Sequence, residues 1–291
     1  MSHIETKAHQ LMQEAEKKLS SGGFFRNLFT KSSERIEESI EYYMRAANLF
    51  KMSKNWSQAG HAFEDAADQC LRNNNEAEAA INYVEAAVCF KKCDMVKAID
   101  LYTKAIELYQ EKGKFLMAAK IHQNIAELME DDYDLNEAIQ HYEKAADLFK
   151  QECNFSSANK CLVKVAEYAA LEKDYDKALN IFQEIACFDL ASSLMKYSAK
   201  QYLFRAAICL LCTDTDFIPK LQTYIDMYPA FENSREYQLI VTLMESIYKG
   251  DEESFTEAIR KFDTSCSLSQ WHVTMLLRVK NQRMCNRIDL K

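Results

Sequence analysis

Glycine and proline are scarce: five glycines and two prolines, Pro219 and Pro229, stand among 291 residues. So few breakers leave little to interrupt helices, and no stretch alternates apolar and polar residues as a half-buried strand does, which excludes sheet architectures. No apolar run approaches the ~20 residues of a membrane span. Net positive charge is also lacking, since 36 Lys and Arg against 44 Asp and Glu leave −8. That balance has the wrong sign for a dedicated nucleic-acid binder. Motifs of catalysis are missing too: there is no Gly-rich phosphate loop, no His-Glu-x-x-His and no Gly-x-Ser-x-Gly, so an enzyme is the disfavoured class.

Cysteine is not scarce. Of the ten present, Cys70, Cys89, Cys161 and Cys209 fall on apolar helix stripes and no secretory signal precedes them. They read as reduced cytosolic thiols that pack as small hydrophobes. Cys209 and Cys212 have Cys-x-x-Cys spacing but lie in a helix-periodic apolar run without a second pair, so burial is expected rather than zinc. His61, His122 and His141 are isolated along the chain, and neither a metal nor another cofactor is expected.

The chain is organised by one phrase, Ala138-x3-Tyr142-x2-Ala145-x3-Phe149, which recurs about every twenty residues. Its first small residue falls at Ala59, Ala79, Ala98, Ala118, Ala138, Ala158, Ala178 and Ala199. Offsets of 4, 3 and 4 place the phrase on one stripe of an α-helix. Alanines let neighbouring backbones approach while the aromatics fill the wedge between diverging helices. At the last position of the stripe only Asp189 is polar. Asn and Asp stand at the joints, where their side chains cap free helix-end amides. Two such helices make a unit of about 40 residues, longer than the ~34 of the tetratricopeptide repeat. The predicted fold is therefore all-α: a tetratricopeptide-like α-solenoid of antiparallel helix pairs with a C-terminal helical-bundle cap.

Three regions follow. Residues 1–33 hold a first helix and a hydrophobic loop, residues 34–213 the repeats, and residues 214–291 the bundle and tail. The loop carries Phe24, Phe25, Leu28 and Phe29 after two glycines. It reads either as a plug folded onto the first helices or as an exposed loop that dips into lipid, where each buried Phe contributes roughly 1.5–3 kcal/mol. Lys91, Lys92, Lys114, Lys120, Lys160, Lys164 and Lys200 sit in the middle repeats. Lys120 and Lys160 each follow the first Ala of their phrase by two residues, so they project from equivalent places, which reads either as a solvated face or as a basic face that suits an acidic partner surface. Glu245, Asp251, Glu252, Glu253 and Glu257 supply the opposite sign near the other end.

The blocks Tyr43–Ser57, Ser156–Ala166, Lys196-Tyr-Ser-Ala-Lys200 and Trp271–Lys280, with the Phe24-Phe25-Arg-Asn-Leu28-Phe29 loop, resemble the soluble NSF attachment proteins of alpha/beta type from end to end. The resemblance implies a non-enzymatic adaptor that coats four-helix SNARE complexes in several copies and recruits the hexameric ATPase NSF, which pulls them apart. By position it implies SNARE contacts at Lys114, Lys120, Lys160, Lys164, Leu194 and Lys200, and membrane contacts at Phe24, Phe25, Leu28 and Phe29. NSF contacts are implied at Asp214, Glu245, Asp251, Glu252, Glu253, Asp289 and Leu290. It also implies a cytoplasmic protein associated peripherally with membranes. The chain departs from the family at its end, where Leu290 is preceded by a single acid, Asp289. The competing reading from the residues alone is a generic tetratricopeptide-like scaffold that holds a short peptide.

Overall fold

The computed structural model describes residues 3–20, 29–132, 134–213 and 217–284, with residues 29–32 as backbone only. Among them are fourteen α-helices and no strand. They are α1 (His3–Ser20), α2 (Phe29–Met52), α3 (Trp56–Arg72), α4 (Glu76–Phe90), α5 (Met95–Glu111), α6 (Phe115–Asp131) and α7 (Leu135–Gln151). Next come α8 (Phe155–Leu171), α9 (Tyr175–Leu190), α10 (Ala199–Cys212) and α11 (Phe217–Met227). A 3₁₀ turn (Pro229–Phe231) leads into α12 (Arg235–Lys249), α13 (Glu252–Ser265) and α14 (Gln270–Arg283). Phe24, Phe25, Leu28, Asp214, Asp289 and Leu290 lie outside the described residues. Phe29, expected in the loop, opens α2.

The joints show why the helices begin where they do. Asn55, Asn75, Asp94, Asp134, Asn154 and Asp174 each stand four residues before the first Ala of a phrase. Each accepts the backbone N–H three residues on, at 3.0–3.4 Å. Just before the cap the chain turns left-handed at Lys54, Asn74, Gly113, Cys153 and Lys173, with φ between 55° and 71°. Only Gly113 suits that conformation without cost. Ala199 breaks the register. It opens α10 instead of standing one turn inside it; Ser198 is the preceding cap residue, and its hydroxyl bonds the Asp189 carboxylate and the Met195 carbonyl rather than a helix amide. Asp189, 1% exposed and the polar residue at the last position of the stripe, thus accepts from the Ser198 hydroxyl.

The chain divides into two compact units, Met1–Ala158 and Asn159–Lys291, with the division inside α8. In the first unit successive helices from α1 to α7 pack against one another. The alanines of the phrase are fully buried, with Phe50, Phe63, Tyr83, Phe90 and Tyr102 between them. Gly60 is the closest approach: a Cβ there would lie 2.5 Å from the Phe90 ring. In the second unit α9, α11, α12 and α14 surround α10, whose Leu203, Ala206, Ala207 and Leu210 are buried.

The last helix closes that second unit. Arg278 donates to the carbonyls of Ala170 (2.7 Å) and Leu171 (3.0 Å), and Arg283 donates to that of Leu211 (3.1 Å). These carbonyls end α8 and α10, where unpaired acceptors and the negative dipole end both favour a guanidinium. Arg205 pairs with Glu167 at 2.8 Å inside a cage of Phe182, Tyr202 and Trp271 rings, each 5.8–6.0 Å from its guanidinium carbon. The Trp271 indole N–H donates to the Glu167 carbonyl at 3.0 Å.

Two buried imidazoles set the acid limit of the fold. In the first unit His122 and His141 face each other with Nδ1 atoms 3.0 Å apart, so one N–H donates to the other's lone pair and both are neutral. Burial, then His141 and Lys144, lower the His122 pKa to about 4. Burial and Arg205 do the same to His272 in the second unit. A folded pKa below the unfolded value of 6.5 means stability present above pH 6.5 and lost as pH falls toward 4, by up to roughly 3 kcal/mol per imidazole. Asp65 acts against this. Its pKa is raised to about 6, first by burial and then by Asp68 and Glu64, so the folded state gains relative stability as pH falls through 6. Two imidazoles outweigh one carboxyl. Urea midpoints are therefore expected to be flat from pH 8 to 7 and to fall between pH 6.5 and 4, and His272→Phe should flatten the fall. An unchanged slope in that variant would refute the assignment.

Candidate functional site

Helices α4 and α6 begin their buried stripes alike. Ala79 and Ala80 on α4, and Ala118 and Ala119 on α6, are fully buried, and the next residue, Ile81 or Lys120, is exposed. This exposed place is a recurring slot of the repeat. Lys120 fills it on α6 of the first unit and Lys160 on α8 of the second. Neither lysine is in an ion pair among the described residues.

Lys114, also exposed, is the N-cap of α6 and makes no side-chain capping bond, alone among the seven joints of this register. A lysine there forfeits a cap and sets a cation at the positive end of the helix dipole, which costs about 1–2 kcal/mol relative to Asp. Lys114→Asp should therefore raise the denaturation midpoint of the first unit. A midpoint equal to that of the parent would show the joint to be indifferent to capping. Leu116 and Met117, one turn before Lys120, are exposed as well. They stand where α3, α7, α8 and α9 carry polar residues, a contrast legible in the repeat alignment but missed by reading basic residues alone.

In the second unit Lys164 lies over the Tyr168 ring and reaches its hydroxyl at 3.2 Å. Lys200 is engaged internally, 3.0 Å from Glu236 at the start of α12. Glu236 is 8% exposed and its second carboxylate oxygen has no partner, so Lys200 holds a buried acid in place. Leu194, 88% exposed, projects from the turn between α9 and α10 together with Tyr197 at 68%. Tyr197 had no place in the sequence-derived site because it belongs to no helical stripe.

The C-terminal acids are partly committed. Asp251 caps α13, accepting from the Ser254 backbone N–H at 3.0 Å and hydroxyl at 2.6 Å. These bonds, the hydroxyl first, hold its carboxyl below the usual range. Glu252 pairs with Lys280 at 3.5 Å and Glu245 with Lys249 at 3.5 Å, while Glu253 is exposed. Cys209 and Cys212 lie on α10, and burial raises the Cys212 thiol to about 11. Among the described residues no three His, Cys, Asp or Glu side chains gather to hold a metal, and no helix is long and apolar enough to cross a membrane.

Paired helices repeated along the chain, with lysines standing out from a recurring slot, define a helical-repeat binding protein. The family model described as "Soluble NSF attachment protein, SNAP" matches residues 6–283. The chain is 44% identical to human alpha-soluble NSF attachment protein over 99% of its length and 98% of that protein's. It is 45% identical to the bovine beta-soluble NSF attachment protein over 95% of its length and 93% of that protein's. It is 31% identical to the probable vesicular-fusion protein sec17 homolog of Schizosaccharomyces pombe, over 94% of each. The chain belongs to the soluble NSF attachment protein family.

Proposed function

We propose that this chain is a non-enzymatic adaptor that binds assembled SNARE complexes and brings the hexameric ATPase NSF to them for disassembly in vesicle fusion and intracellular transport. The observation that carries the reading is the family match over residues 6–283, along nearly the whole chain. Slot lysines that make no ion pair among the described residues support it, because such a cation is available to an acidic helical bundle. Lys114, Lys120, Lys160, Lys164 and Lys200, with Leu194, contact the bundle. Asp214, Glu245, Asp251, Glu252, Glu253, Asp289 and Leu290 meet basic NSF domains. Phe24, Phe25, Leu28 and Phe29 touch the membrane that anchors the bundle, keeping the protein cytoplasmic and peripherally attached. Several copies surround one bundle, and each weak contact strengthens the others through effective concentration.

The test is ATP-driven disassembly of recombinant SNARE complexes by NSF with and without the full chain. Disassembly is expected only with it, and equal rates in both arms overturn the proposal. Phe24→Ser combined with Phe25→Ser should slow disassembly of membrane-embedded complexes and spare soluble ones. Equal slowing of both would assign the loop a structural role.

A further inference from the structure

Helix α4 repeats the burial pattern of α6 but carries different chemistry. At the slot where α6 has Lys120, α4 has Ile81, 52% exposed, and two turns on Val88 is 39% exposed, with half-buried Val84 between them. Val84 packs partly against the core, but neither packing nor helix propensity accounts for the exposed Ile81 and Val88, since Lys, Glu or Ala would favour the helix more. The stripe runs directly into Lys91 and Lys92, which make no ion pair among the described residues.

We infer that the outward stripe Ile81–Val84–Val88 of α4 is a specificity contact for the helical bundle, accepting an apolar strip of its surface beside acids that meet Lys91, Lys92 and, on α6, Lys120. This deepens and rests on the reading of the chain as an adaptor for assembled SNARE bundles. The occupant follows from charge complementarity. Cations flank an apolar stripe on one side and fill the equivalent slot on the next helix of that register, so the fitting surface is apolar at its centre and acidic around it. A uniformly charged polyanion would leave the stripe exposed to water.

The experiment titrates the full chain against a recombinant soluble SNARE bundle at two salt concentrations. Ile81→Ser with Val88→Ser should weaken binding about tenfold and leave the salt dependence unchanged, because apolar contacts are not screened. Lys120→Glu should weaken binding and flatten the salt dependence. The discriminating variant is Ile81→Lys, which copies the α6 slot: it should weaken binding if α4 meets an apolar strip. Stronger binding by Ile81→Lys, or parental affinity of the double serine variant, overturns the inference while Lys120→Glu still reports on the adaptor reading. If the parent itself fails to bind the bundle, both fall. All the substituted side chains are at the surface, so melting temperatures should match the parent.

Discussion

Replacing Arg205 with Met is expected to cost the second unit about 3 kcal/mol. The guanidinium is 18% exposed and Glu167 17%, so the pair is mostly shielded from water. Met would fill much of the ring cage but leave the Glu167 carboxylate without that cation in a site of low polarity. A removed partner costs more than a pair is worth, since an uncompensated charge must then be desolvated. Urea unfolding of Arg205→Met, Glu167→Gln and the double variant measures this. Large single losses with a double variant that recovers part of them are expected, and single losses below about 0.5 kcal/mol would reduce the pair to a surface contact. Burial and then Arg205 lower the His272 pKa, so losing Arg205 should also make the His272-linked fall in stability below pH 6.5 shallower.

Reversing both slot lysines, Lys120→Glu with Lys160→Glu, is expected to weaken binding to an assembled SNARE bundle at least a hundredfold at low salt. Each reversal replaces an attraction with a repulsion, about tenfold or more per site, and distant sites add. The salt dependence should flatten in step, and circular dichroism should not change, because neither lysine supports the fold through an ion pair among the described residues. Unchanged affinity at low salt would remove the basic slot from the mechanism. Lys200 is a poorer probe. Its substitution strands Glu236, so a lost interaction there would mix binding with local unfolding.

How much of this could be read beforehand depends on the range of the interaction. The Ala phrase and the Asn and Asp joints are local signals, and the helices α3 to α9 start where those caps stand. The polar outlier Asp189 was visible as a break in the stripe, but its donor Ser198 was not, because the turn between them has no period. Contacts joining α8, α10 and α14 have no sequence signature at all: Arg278 finds carbonyls 107 and 108 residues away. Within the site, the exposed slots of Lys120 and Lys160 followed from register. The capture of Lys200 by Glu236 did not, since a lysine's reach lets it choose among partners that only the packed bundle brings near. Phe24, Phe25, Leu28, Asp214 and the tail lie outside the described residues.

The same long reach of α14 has a consequence for how the protein is made. The first unit pairs each helix with the one just synthesised, so it can assemble turn by turn as the chain emerges from the ribosome. The second unit keeps the carbonyl ends of α8 and α10 open until residues 278–283 have been translated and released. During that interval its apolar helices are the portion of the nascent chain that most needs a chaperone.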